Sequence, residues 1–131
     1  ENSNMDRVKT ICNFLFQTMG VKVSIYNEID RSSGSYKITG RAEVISGKGE
    51  TAIMDDEELL AYTKTIVDLQ KQDENSYDSI LNMIVQSCEM VDYFGNVNSN
   101  PESLIYKLLE EYMPGIIEDL KTKYDLGGYS I

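Results

Sequence analysis

Apolar residues recur at two different periods along the chain. Met5, Val8, Cys12, Leu15, Phe16 and Met19 follow steps of three and four, the spacing that shares one face of an α-helix. Gly20 follows as a helix stop. The period then shortens to two. Val21, Val23 and Ile25 alternate with Lys22, Ser24 and Tyr26, which predicts a half-buried strand. Asp30-Arg31-Ser32-Ser33-Gly34 reads as a turn. A second strand is predicted over residues 35–46, with Tyr36, Ile38, Ala42 and Val44 on one face and Lys37, Thr39, Arg41 and Glu43 on the other. Gly40 in its middle predicts a bulge or a point of close packing. Gly47-Lys48-Gly49 predicts a tight turn into a short third strand, residues 50–54.

From residue 55 the pattern is helical. Asp55, Asp56, Glu57 and Glu58 stand where caps and the positive end of the helix dipole favour acids. Leu59, Tyr62, Ile66 and Leu69 form the first stripe, supported by Leu60, Thr63 and Val67. The pattern breaks at residues 73–76, with Ser76 the expected N-cap of the next helix. Tyr77, Ile80, Leu81, Ile84, Val85, Cys88 and Val91 form its stripe, the cleanest in the chain. Residues 95–100 read as a loop. Asn100-Pro101 predicts another helix start, a cap followed by proline at the first helical position. Leu104, Ile105, Leu108, Leu109 and Tyr112 form its face. Pro114-Gly115 breaks or kinks it, and Ile116, Ile117, Leu120 and Tyr124 continue to a stop at Gly127-Gly128. The order α-β-β-β-α-α-α predicts an α+β fold: an N-terminal helix, a three-stranded antiparallel β-meander, then three to four C-terminal helices. The 131 residues suit a single domain over 1–131, with residues 1–4 a disordered or added tail.

Charge sharpens this division. The chain carries 22 acids and 12 bases, a net of −10, and no histidine. Residues 1–54 come to +1 and hold all three arginines, Arg7, Arg31 and Arg41. Residues 55–131 come to −11. Such an excess either keeps a small protein soluble or steers it toward a basic surface. Its sign disfavours direct binding of nucleic acid. A nucleic-acid-binding protein, whose site spaced carboxylates would occupy in place of phosphates, is the extreme form of a basic partner.

The chemistry expected of an enzyme is missing. Without histidine the chain lacks the usual acid–base catalyst and most zinc sites. Ser46-Gly47-Lys48-Gly49-Glu50 lacks the spacing of a phosphate-binding loop and joins two strands. The Asp30 loop has Arg41 where a calcium loop needs its twelfth-position glutamate. Consecutive acids on a helix point about 100° apart and do not converge on a metal. No catalytic, cofactor or metal site is therefore expected. Cys12 and Cys88 lie on apolar stripes and read as buried reduced thiols. No apolar run reaches the ~18 residues of a membrane span. With no Asn-x-Ser/Thr sequon, the expected location is the cytoplasm.

Nine tyrosines suit core edges and interfaces, with Tyr93-Phe94 and Tyr112-Met113-Pro114 the expected exposed spots. These features together predict a small acidic non-catalytic interaction protein of inhibitor, immunity, adaptor or chaperone type. Its partner-binding residues are expected among Asp55, Asp56, Glu57, Glu58, Tyr93, Phe94, Glu110, Glu111, Tyr112, Glu118 and Asp119. The alternative is a small-molecule-binding module with a pocket between meander and helices. Wide apolar stripes and an open strand edge also predict self-association as a homodimer.

Overall fold

The change of period after Gly20 is where a helix gives way to a sheet. The computed structural model describes residues 3–30, 37–45 and 48–126. In chain order they form α1 (Ser3–Met19), β1 (Lys22–Asp30), β2 (Lys37–Ile45), β3 (Thr51–Met54), α2 (Asp56–Gln70), α3 (Glu74–Ser87), α4 (Leu104–Tyr112) and α5 (Pro114–Tyr124). This is the expected α+β order, with four helices after the meander. The expected turn at residues 31–34, Tyr36, Gly47 and the stop at Gly127-Gly128 lie outside the described residues. Ser3 and Asn4, placed by the sequence in a tail, lie in α1. Two compact units emerge, Glu1–Thr65 and Ile66–Ile131, with the boundary inside α2.

In the first unit the strands run antiparallel in the order β1-β2-β3. The register pairs Val23 with Val44, Ile25 with Ala42, Met54 with Ala42 and Ala52 with Val44. These residues share one face by the period of two, and α1 lies against β1 and β2. Helix α1 buries Val8, Ile11, Cys12, Phe14 and Leu15. The buried arc is therefore turned from the predicted stripe: Phe14 is inside and Phe16 outside. Thr18 joins the arc because its hydroxyl donates to the Phe14 carbonyl at 2.6 Å, so no polar group is left unsatisfied.

Gly40 is a point of close packing and not a bulge, since the β1–β2 register runs unbroken through Asn27↔Gly40. A Cβ there would sit 2.9 Å from the Met5 Cα, a backbone atom that cannot swing aside. The Gly40 N–H donates to the Asn4 side-chain carbonyl at 2.7 Å, which ties the first turn of α1 to β2. Gly40→Ala is expected to destabilise the protein by about 1–3 kcal/mol, the usual cost of overpacking. Urea denaturation with an unchanged midpoint would contradict this.

The second unit brings α5 against both α3 and α4. Its core is built from Ile84, Leu108, Leu109, Ile116, Ile117 and Leu120, with Met90 and Cys88 also buried. Two helix starts differ from expectation. Asp73, not Ser76, caps α3: one carboxylate oxygen accepts from the N–H groups of Asn75 and Ser76, and the other from the Ser76 hydroxyl at 3.0 Å. An aspartate offers two acceptors, so it takes the cap and leaves the serine as donor. Asn100 does not open α4. Its side-chain amide donates to the carbonyls of Cys88 and Glu89 and so closes α3. Ser103 caps α4 by accepting from the Tyr106 N–H. Pro101 precedes the helix, whereas Pro114 opens α5.

Helix α3 ends at Ser87, so Val91 does not continue its stripe and lies partly exposed. The Met90 N–H donates to the Val85 carbonyl and the Glu89 N–H to the Gln86 carbonyl, a Schellman ending. Glu89 holds the left-handed position at φ 53°. Both cysteines are unpaired and buried. Burial pushes the Cys12 thiol up to about 11 and the Cys88 thiol up to about 12. Both are thus neutral thiols at physiological pH, the form that neither attacks nor binds metal. No helix among the described residues is long and apolar enough to cross a membrane.

Candidate interaction site

The turn that follows α3 is built around one carboxylate. Asp92 Oδ1 accepts from the N–H groups of Phe94 and Asn96, each at 2.9 Å, and Oδ2 from the Asn98 side chain at 3.3 Å. The backbone closes the same turn. Gly95 N–H donates to the Asp92 carbonyl at 3.0 Å, and Asp92 N–H donates to the Asn96 carbonyl at 2.9 Å. Val91 and Val97 pair as an antiparallel bridge, and the Asn98 N–H donates to the Met90 carbonyl. Gly95 supplies the φ of +85° that an L side chain resists.

The turn holds Tyr93 and Phe94 at its tip. They are 95% and 82% exposed, with ring centroids 5.3 Å apart and edge to face at 85°. Burying a phenylalanine is worth about 1.5–3 kcal/mol, and this loop leaves that free energy unused. Aromatic side chains lose little conformational entropy on binding and dominate protein interfaces. A pinned turn that shows two of them has the form of a docking tip.

The N–H of Asn96, ahead of that of Phe94, holds the Asp92 carboxyl below its ordinary value. A lowered native pKa means that the carboxylate supports the turn above the unfolded value, about 3.9, and loses that role as pH falls through the lower native value. The turn is therefore expected to hold at neutral pH and to loosen in acid below pH ~4. Asp92→Ala should loosen it at every pH and leave the helices intact. Amide exchange at Asn96 measures this; equal protection in wild type and variant at pH 7 would contradict it.

The other expected partner-binding residues fall into three groups. Asp55, Asp56 and Glu58 are employed in the first unit's own structure. Asp55 Oδ1 accepts from the Glu58 N–H at 2.8 Å while Glu58 Oε1 accepts from the Asp55 N–H at 3.0 Å, a reciprocal capping box. Asp56 accepts from Arg7 Nε at 2.9 Å and so fastens α2 to α1. Glu57 is exposed beside them. In the second unit Asp119 accepts from the Tyr77 hydroxyl, and Lys71 Nζ lies over the Tyr77 ring, 5.4 Å from its centroid. Burial, followed by this hydrogen bond, raises the Tyr77 pKa. Tyr112 is half-buried. Glu110, Glu111 and Glu118 are exposed, with Lys121 at 4.0 Å from Glu118.

Charge gathers on this second unit. Residues 66–131 hold twelve acids and four lysines, a net of −8. Lys123 pairs with Asp78 and Lys121 with Glu118, which leaves the excess to surface carboxylates. Among the described residues no group of histidine, cysteine, aspartate and glutamate converges on a metal position. Open grooves of about 500 and 480 Å³ both lie in the first unit. Lys22 and Tyr62 line the first, among Met19, Val21 and Ile45.

The sequence pattern put Tyr93 and Phe94 at a helix end and began the loop at Gly95. It missed Asp92. The signal was there: an aspartate at the first position of a turn with glycine at the fourth. Comparison with known protein families, curated proteins and solved structures finds nothing that matches this chain.

Proposed function

We propose that this chain is a small non-catalytic interaction protein, working in the cytoplasm, whose second unit docks on a basic surface of a partner protein. The observation that carries the reading is the Tyr93–Phe94 pair, held outward by the Asp92 turn on a unit of net charge −8. The aromatic rings supply buried area once a partner covers them. The carboxylates of the same unit supply the approach and reject acidic surfaces. A nucleic-acid-binding protein is one source of such a basic surface. Two unpaired cysteines fit a reducing compartment. Affinity capture with the full chain, at low and at high salt, tests this against Tyr93→Ala/Phe94→Ala as bait. A partner retained by the wild type, weakened by salt and lost with the double variant is expected. Equal capture by both baits would overturn the reading.

A further inference from the structure

The first unit carries a second unsatisfied surface. Strand β1 is nine residues long and, among the described residues, pairs on one side only, with β2. The direction of its free backbone groups follows from Gly40. That residue turns its N–H to Asn4 and not to Asn27 opposite it, so Asn27↔Gly40 is a wide pair of the ladder. The backbone groups of Val23, Ile25, Asn27 and Ile29 therefore face away from β2, toward the open edge. Beside that edge runs a groove of about 480 Å³ lined by Lys9, Cys12, Asn13, Phe16, Val23 and Ile25. Phe16 is 62% exposed and Ile25 42%. The other outer strand, β3, has only four residues.

We propose that a second copy of this chain covers this edge, with β1 pairing antiparallel to β1 across a two-fold axis at Tyr26. The sequence of the strand is complementary to itself in that arrangement. It begins with Lys22 and ends with Glu28 and Asp30. Antiparallel pairing about Tyr26 brings all nine residues of each strand into register, Lys22 opposite Asp30 at both ends. It also sets Val23 opposite Ile29 and Ile25 opposite Asn27, so the outward backbone groups meet as hydrogen-bonded pairs. The three-stranded sheets merge into one continuous sheet. Both α1 helices lie on the same face of it, and Phe16 of each copy closes over the seam. A nine-residue edge with no proline and with exposed isoleucine is otherwise a liability for uncontrolled pairing. A closed two-fold contact removes it.

The test uses the full chain in three forms. Light scattering should give twice the 14.9 kDa chain mass in the micromolar range. Phe16→Glu, at a position already in water, should leave the fold intact and weaken the dimer about tenfold or more. Tyr26→Cys places a thiol at the axis and should cross-link to its own copy under mild oxidation. Ser24→Cys, two positions from the axis, should not. A single-chain mass throughout the micromolar range would overturn the proposal. So would a dimer indifferent to Phe16→Glu, or cross-linking through Ser24→Cys in place of Tyr26→Cys, each of which would point to another interface or register. None of these outcomes depends on Tyr93 and Phe94, so a failure here leaves the docking reading standing.

Discussion

Tyr93→Ala and Phe94→Ala are each expected to weaken partner binding by about 2 kcal/mol or more, roughly thirtyfold, without unfolding the protein. The size follows from two features. Both rings are exposed in the free chain, so their loss removes no core contact. Both sit on a turn already fixed by Asp92, so little ordering entropy offsets the area they bury in a complex. Thermal stability should therefore change by less than ~0.5 kcal/mol, the usual range for surface substitutions away from special features. Calorimetric titration of a purified partner measures the loss. Asp92→Ala should reproduce part of it, because the rings remain but their presentation is lost. A double variant that binds as the wild type would place the contact elsewhere.

Phe14→Ala is expected to cost about 3–5 kcal/mol, the range for deleting a buried aromatic side chain. Most small domains hold only 5–15 kcal/mol in total, so the variant should approach unfolding at moderate temperature. Phe14 is among the largest fully buried side chains and sits on the arc of α1 that faces the core. Phe16→Ala, compared in dilute solution where the chain is monomeric, should cost less than ~0.5 kcal/mol. Denaturant midpoints of the two variants check this. A larger loss from Phe16→Ala than from Phe14→Ala would mean that the predicted stripe, and not the observed one, faces the core.

Those two phenylalanines also show what the sequence could say. The pattern identified α1, because its apolar residues follow a helical period whichever of them faces inward. It could not fix the facing angle, because Ile11, Phe14 and Thr18 fall between the chosen positions and the arc is wider than one stripe. The meander was legible because a period of two admits only one inner face. Ala42 and Val44 are buried as predicted, and Gly40 beside them marks the close approach of α1. Helix existence was legible in the second unit, but cap identity was not. Ser76, Asn100 and Asp73 are all competent caps. Which of them caps, and which instead closes a distant helix end as Asn100 does, depends on contacts twelve residues apart. At the candidate site the aromatic pair was visible in the sequence. The carboxylate that presents it was passed over: Asp92 with Gly95 three positions on marks a turn, but the helical stripe ending at Val91 drew Tyr93 and Phe94 into the helix end. Asp55 and Glu58 were legible as acids at a helix start but were also counted with the docking acids; in the fold they bind each other's backbone N–H groups.

On the proposed function, the acidity of the second unit guides a basic partner to the Tyr93–Phe94 tip. Stopped-flow association of a purified partner, at about 0.01 M and about 0.1 M salt, tests it most directly. The Debye length falls from about 30 Å to about 10 Å between those conditions. The wild-type association rate should fall steeply with salt while the dissociation rate changes little. Glu110→Lys/Glu111→Lys, at two exposed positions of α4, should lower the association rate severalfold at low salt, and Glu43→Lys on the meander should not. An association rate that ignores salt and the α4 reversal would show that the charge serves solubility alone.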